Sequence, residues 1–304
     1  MGLLQIVKTG VVQGGFLEKV YGYSKKNNFA ILCVNVISTE SINAVLESAS
    51  HSNSAVMIQV SYENAKFFAG KIPKGDSAVL GAVTMANYLH TIASYYKVPV
   101  IVGTDYTSKE NTYWIDELLE IGNEYYKTHS KSLFSSYALD ISHSSEKEGI
   151  KTAKKYLKKA SKIDSGLDIK VGKVFLLVNE LSNLYKELQN ISANFTISFS
   201  CDELNYDEKQ ALFSNLQKVI QNEFKTKSKP INIVYAGDSG TKKDMQKIIN
   251  SGTVLITVQN DVQNSFNNIM NKDIKLTKLL RESQKLIIKN SNSRIKDYNA
   301  KNSL

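Results

Sequence analysis

Eight short apolar runs recur along the chain with helix-patterned segments between them, and that alternation constrains the fold more than any other feature. The runs are 29–36, 55–60, 98–104, 133–139, 167–175, 194–200, 231–236 and 253–258. Most are apolar throughout rather than alternating, as strands covered on both faces of a parallel sheet must be. Helical periodicity fills 40–50, 78–96, 114–128, 145–163, 178–190, 207–224 and 242–250, with Asp207 and Thr241 as N-caps and Gly252 as a stop. Eight strand–helix units in about 230 residues predict one (β/α)₈ barrel, an α/β fold, over residues 1–270. A doubly wound open sheet is the alternative. It ordinarily carries a Gly-rich turn after its first strand, and Ile37-Ser38-Thr39-Glu40-Ser41 contains no such turn.

Composition excludes several classes. The 304 residues are 42% hydrophobic and 22% charged, enough for a full-sized core and unlike a disordered chain. No apolar run approaches the ~18 residues that span a bilayer. The opening residues Met1 to Lys8 lack the long apolar stretch and cleavage site of a secretory signal. Cys33 and Cys201 are too few for a disulfide scaffold or a thiolate zinc knot. The expectation is a cytoplasmic protein with no membrane association.

The net charge of +9 is unevenly placed, two thirds of it falling in 271–304. There the pattern from Ile274 to Lys289 reads as an amphipathic helix. Leu276, Leu279, Leu280, Leu286 and Ile287 lie on one face, and Lys275, Lys278, Arg281, Lys285 and Lys289 on the other. A second cluster, Lys151, Lys154, Lys155, Lys158, Lys159 and Lys162, precedes the fifth run. Solvated helix faces explain both clusters. An electrostatic footprint for RNA, a ribosome or an acidic protein surface is the sharper reading, without an RNA-reading motif to accompany it.

In a barrel, active-site groups lie at the carboxyl ends of the strands. Those positions hold Asn35, Ser61, Asp105 with Tyr106, Asp140, Lys170, Asn205, Gly237-Asp238-Ser239-Gly240 and Asn260-Asp261. The turn from Gly237 to Thr241 precedes a helix, so its amides could cradle a phosphate; an ordinary strand-to-helix turn explains it equally. Asp105 could act as a general acid or base, although an aspartate in that place more commonly caps a helix or ties down a loop. No pair among His51, His90, His129 and His143 has a chelating spacing, and His90 sits on a helix among apolar residues.

Collinear segments nevertheless resemble one family. They include Lys8-Thr9-Gly10-Val11-Val12, Asn28-Phe29-Ala30-Ile31 through Val34-Asn35, and Ser41-Ile42-Asn43-Ala44-Val45-Leu46-Glu47. Phe68-Ala69-Gly70-Lys71, Leu133-Phe134-Ser135-Ser136, Asn194-Phe195-Thr196-Ile197 and Gly237-Asp238-Ser239-Gly240 continue the series. From residue 2 to about 270 the chain resembles the class II, zinc-dependent fructose-bisphosphate aldolases in their long bacterial and fungal form. The resemblance implies reversible cleavage of fructose 1,6-bisphosphate into dihydroxyacetone phosphate and glyceraldehyde 3-phosphate. It also implies a Zn²⁺ that polarises the ketose carbonyl, and a homodimer.

The positions that the resemblance pairs with the zinc site carry other side chains. The motif's aspartate is retained as Asp105, while its histidines correspond to Gly103 and Tyr106. The zinc-site glutamate corresponds to Lys170, and two further histidines to Asn205 and Ala236. The mobile loop after the fifth run is reduced to Lys173-Val174-Phe175-Leu176-Leu177, and the C-terminal segment bearing a phosphate-binding arginine is not recognisable. These departures lead to the expectation of a catalytically inactive aldolase-like protein with no cofactor. Its role would be structural or interactive, within an assembly that engages RNA or acidic protein through the two basic clusters.

Two alternatives stand beside that expectation. One is a working fructose-bisphosphate aldolase, its ligands recruited from His143 or His51. The other is a sugar-phosphate sensor that keeps Asn35, Ser61, Gly237, Ser239 and Asp261 for binding. Lys170 could form a Schiff base if burial depressed its pKa; its simpler role is a cation paired with Asp105 or a neighbour.

Overall fold

A computed structural model of the chain describes residues 2–107, 111–199, 201, 203–226, 228–237, 240–258, 261–268 and 275–304. After a two-residue strand β1 (Gly10–Val11) and helix α1 (Leu17–Lys26), strands and helices alternate to the end of the barrel. The first half comprises β2 (Ile31–Asn35), α2 (Thr39–His51), β3 (Val56–Val60), α3 (Tyr62–Ala69), α4 (Ser77–Ile92), β4 (Pro99–Thr104), α5 (Thr112–His129) and β5 (Ser136–Asp140). The second comprises α6 (Glu146–Ser161), β6 (Gly166–Val171), α7 (Val178–Gln189), β7 (Phe195–Phe199), α8 (Tyr206–Phe224), β8 (Ile233–Ala236), α9 (Lys242–Asn250) and β9 (Thr253–Val258). Helices α10 (Asp261–Asn267) and α11 (Leu276–Asp297) follow.

Strands β2 to β9 pair in parallel, and β2 meets β9 while β4 meets β5, so the sheet closes into an eight-stranded barrel. All eight predicted runs are its strands. The β4–β5 seam is thin, with a single register pair, Gly103 opposite Ser136. Strand β1 fills its base by pairing Gly10 with Pro99 and Val11 with Val100. The Ser135 hydroxyl stitches the three together, donating to the Val12 carbonyl and accepting from the Val102 amide. Because a barrel strand is covered inside and out, the strand residues are almost wholly buried, which explains the unbroken apolar runs.

Helix starts follow side-chain capping. Ser38, Asp76, Ser145, Asn205 and Thr241 accept from the first free amides of α2, α4, α6, α8 and α9. The cap of α8 is Asn205, not the predicted Asp207: its side chain accepts from the Asp207 and Glu208 amides, and the Glu208 carboxylate reaches back to its N–H. Helices α1 and α3 lie outside the segments with expected helical periodicity. The α3–α4 pair is held close at Gly81, where an added Cβ would meet the Ala65 carbonyl oxygen at 1.8 Å.

The C-terminal helix lies against the barrel wall. Ser283, Ile287, Ser291 and Ile295 are its buried positions, at four-residue intervals; Ile287 belongs to the apolar face expected, Leu279, Leu280 and Leu286 are half-buried, and the two serines extend that face. Asn292 accepts from the Ser48 and Ser52 hydroxyls of the α2 region. Beyond the helix, the Ala30 amide bonds to the Tyr298 carbonyl and the Asn302 amide to that of Ser52. Among the described residues no helix is long and apolar enough to cross a membrane.

Candidate active site at the mouth of the barrel

Parallel strands deliver the ends of β2, β4, β5 and β6 to one rim. Asn35 closes β2, and its amide donates to Asp105 Oδ2 at 2.7 Å. Asp105, one residue past β4, also accepts from the Tyr106 amide at 2.8 Å. Burial pushes its carboxyl above the ordinary range, against the pull of Asn35, the Tyr106 N–H and the Lys170 charge. Asn35 Oδ1 is buried without a hydrogen-bond partner, leaving an acceptor free beside Asp105.

Lys170 and Asp140 are register partners on β6 and β5, and their ion pair spans 3.3 Å. The Lys170 side chain is 35% exposed, so the ammonium stands at the opening rather than within the packed core. It lies 5.9 Å from the centre of the Tyr106 ring. Thus Lys170 does pair with a carboxylate, but Asp140 is the hydrogen-bond-range partner and Asp105 acts on it as a neighbouring charge.

Tyr106 faces inward. Its hydroxyl donates to Asp168 Oδ2 at 2.6 Å, and Thr196 donates to Oδ1 at 2.7 Å. Asp168 precedes Lys170 by two residues on the same strand, so the two side chains share the interior face. With 5% exposure and Asp105 nearby, burial pushes the Asp168 carboxyl up to about 6 against its two hydroxyl donors. The phenol that corresponds to an imidazole therefore serves the barrel interior and forms a floor beneath Lys170.

The remaining sequence candidates divide. Ser61 caps α3, accepting from the Asn64 amide at 3.2 Å. Asn205 is committed to its own helix and exposed, and Ala236 ends β8 with only a methyl group. Gly237 lies against the Tyr235 ring. Ser239 and the Asp261 side chain lie outside the described residues. In the phosphate turn, the Thr241 N–H is already taken by Asp244 at 3.0 Å. The histidines do not converge: His51, His129 and His143 are exposed, and His90 donates to the Leu133 carbonyl at 3.0 Å. Neither His51 nor His143 joins the mouth cluster.

Two groups near the rim escaped sequence reading. Asp140 appeared as a strand end without a partner, because its pairing with Lys170 needs the register. Lys209, in the first turn of α8, is 7% exposed, with its ammonium 5.5 and 5.3 Å from the Tyr206 and Tyr235 ring centres. Tyr206 also touches the Cβ position of Gly240. A buried cation thus stands behind the turn, where the sequence showed only one more helical lysine.

The basic clusters occupy different flanks. Lys154 pairs with Glu187, and Lys155 and Lys159 converge on Asp116 at 3.9 and 2.5 Å. Lys151, Lys154, Lys155 and Lys158, with Lys147, line a shallow concavity of about 350 Å³ on α6. On α11, Lys285 pairs with Glu282, while Lys275, Lys278, Arg281 and Lys289 are exposed.

A closed parallel barrel with its polar and charged groups gathered at the carboxyl ends of the strands is the layout of a barrel enzyme, and comparison gives the family. The pattern of the class-II fructose-bisphosphate aldolases matches residues 17–194, and the chain belongs to that family. A fructose-bisphosphate aldolase of Campylobacter jejuni is 38% identical over 293 residues, 88% of this chain and 82% of that protein. The class 2 fructose-bisphosphate aldolase of Escherichia coli K12 is 32% identical over 290 residues, 86% of this chain and 81% of that one. The crystal structure of the Campylobacter jejuni fructose-bisphosphate aldolase superposes with a TM-score of 0.92 at 33% identity, covering 100% of this chain and 99% of that one.

These findings overturn the expectation of an inactive protein with a structural or interaction role. Close relatives at this identity, and a neighbour of the same shape over the whole chain, carry the name of the enzyme. That expectation was built on the few positions without imidazoles, whereas the agreement with proteins named as the enzyme extends over most of the chain in sequence and all of it in shape.

Among the described residues, the side chains at the positions that the resemblance pairs with the zinc site do not fit that metal. The corresponding positions offer an inward-turned phenol, an ammonium, an amide engaged in capping and a methyl group. Among the described residues no three His, Cys, Asp or Glu side chains gather closely enough to hold a metal ion.

Proposed function

We propose that the protein is an aldolase that reversibly cleaves a phosphorylated ketose, fructose 1,6-bisphosphate being the substrate carried by its closely similar relatives' names. The observation that carries this reading is the agreement with the Campylobacter jejuni aldolase, over 88% of the chain in sequence and all of it in shape. The mouth geometry supports it. Retro-aldol cleavage needs a base for the proton of the hydroxyl beside the bond that breaks, and a positive group near the carbonyl to hold the electron pair released.

Asp105 suits the first task. Asn35 fixes its orientation at 2.7 Å, and burial raises its affinity for a proton. Lys170 suits the second, its ammonium held beside the opening by Asp140. The unpaired Asn35 Oδ1 is an acceptor for a substrate hydroxyl, and the enclosed Lys209 ammonium supplies attraction for a phosphate at the turn after β8. A cytoplasmic location accords with two buried cysteines that form no disulfide, Cys33 and Cys201.

The test is direct. Purified protein incubated with fructose 1,6-bisphosphate should release triose phosphates, and the reverse condensation should consume them. Absence of turnover in both directions, with the fold intact by circular dichroism, would refute the reading.

A further inference from the structure

We propose that a cavity at the base of the barrel, away from the mouth, binds a small amphiphilic carboxylate: an apolar body carrying one acid group. The cavity holds about 760 Å³, within the range of small-molecule sites, and residues 4–13 form most of its wall. It lies where β1 pairs with the first residues of β4, beside the segment that leads into β5. The aldolase reading makes no use of it.

One part of the lining is apolar and uncovered. Leu4 and Phe16 are 44% and 41% exposed, and Ile6 and Val11 are half-buried. Water held against such side chains in a concave wall is released when an apolar body takes its place.

The other part is cationic, with a donor oriented in advance. Gln13 Oε1 accepts from the Ser132 amide at 2.7 Å and from the Ser132 hydroxyl at 3.0 Å. Those two bonds fix the side chain, and its NH₂ group meets the Val11 carbonyl only at 3.5 Å, too long to satisfy it. Lys131 adjoins Ser132, and its charge bears on the ring of His90, which also lines the cavity. Burial, aided by that charge, holds His90 below the ordinary histidine range, so the ring is neutral at pH 7. Lys8 supplies a second ammonium to the lining. Among the described residues neither lysine has a carboxylate within ion-pair distance, and no acid lines the cavity. Two unpaired cations and one oriented amide select an anion. A carboxylate can give one oxygen to the Gln13 amide and the other to an ammonium. Inorganic phosphate would leave the apolar wall unused.

Occupancy at this end bears on the thin β4–β5 seam. Val12 lines the cavity, and its carbonyl accepts from the Ser135 hydroxyl that also receives the Val102 N–H. A ligand packed on β1 holds that stitch closed, so the amides it joins open less often.

Calorimetric titration of the intact protein with octanoate, octan-1-ol and inorganic phosphate tests the proposal, with hydrogen exchange to locate the ligand. Octanoate should bind once per chain. Octan-1-ol and phosphate, each lacking half of the required chemistry, should bind at least about tenfold more weakly. Octanoate should slow exchange in residues 10–12 and 100–102. K8E with K131E reverses two exposed charges and should weaken octanoate by about tenfold with the urea midpoint unchanged. S94F, at an exposed lining position, should weaken it by filling the space. No saturable octanoate binding at millimolar concentration would overturn the proposal. So would octan-1-ol binding as tightly, or protection at the mouth instead of the base. If the charge reversal impairs folding, S94F and the exchange pattern of the unaltered protein still decide.

Discussion

Asp168 is the residue whose titration should be visible in the stability of the whole chain. Its carboxyl is pushed up to about 6 in the fold, against about 3.9 for a free aspartate. Between those values the native state keeps a proton that the unfolded chain has released. The stabilisation this confers is complete below the lower value and is lost as pH rises through about 6. D168N should flatten that slope, raising stability at pH 7 by at most about 3 kcal/mol, as read from urea midpoints between pH 4 and 7. An unchanged slope would place the titration elsewhere.

Asp105 gives a kinetic prediction at the same scale. D105N should lower kcat by roughly 10²–10⁴-fold while leaving the urea midpoint close to that of the parent. N35A removes the amide that draws the Asp105 carboxyl downward. The acid limb of its pH–rate profile should therefore move to higher pH, which a merely structural asparagine would not do. In the sequence both residues were legible as strand-end polar groups. Their mutual hydrogen bond was not, because it joins strands separated by 70 positions.

At the scale of elements, two glycines separate the integrity of the mouth from that of the wall. Gly172 follows β6, and a Cβ there would lie 2.0 Å from the Ser142 carbonyl oxygen in the loop after β5. Its φ of −88° is open to any residue, so the constraint is the approach of two backbones rather than the torsion. G172A should cost about 1–3 kcal/mol and also depress kcat, because it pushes apart the loops that follow Lys170 and Asp140. G81A, which drives α4 off Ala65 in α3, should cost a similar amount of stability with kcat little changed. Equal kinetic effects from the two would refute this division. Neither approach can be read from sequence, where both glycines look like ordinary helix or loop residues. The strands could be read because double-sided burial writes itself into consecutive residues, whereas α1 and α3 are short and their apolar faces interrupted.

For the molecule as a whole, the C-terminal helix is part of the wall. Ile295 is fully buried in α11, and I295A should lower stability by about 2–5 kcal/mol in a chemical melt. A helix that packed only loosely would show almost nothing. Its amphipathic character was evident in sequence, and Ile287 of the expected apolar face is buried, but the inward serines were not foreseen. The leucines marked the stronger apolar stripe, yet Ser283 and Ser291 sit inward, where a small side chain lets the helix approach the barrel. The eight strands were thus evident from their unbroken apolar runs, while the chemistry at their ends depended on closure of the ring, which brings β2, β4, β5 and β6 to one opening.

The Lys170–Asp140 pair fixes the sign of the charge at the opening whatever ions the surroundings hold. Its positive charge is built in by translation and set in place when the cylinder shuts, at the cost of folding rather than of capture from the surroundings. Scarcity of trace elements would leave that charge where it is.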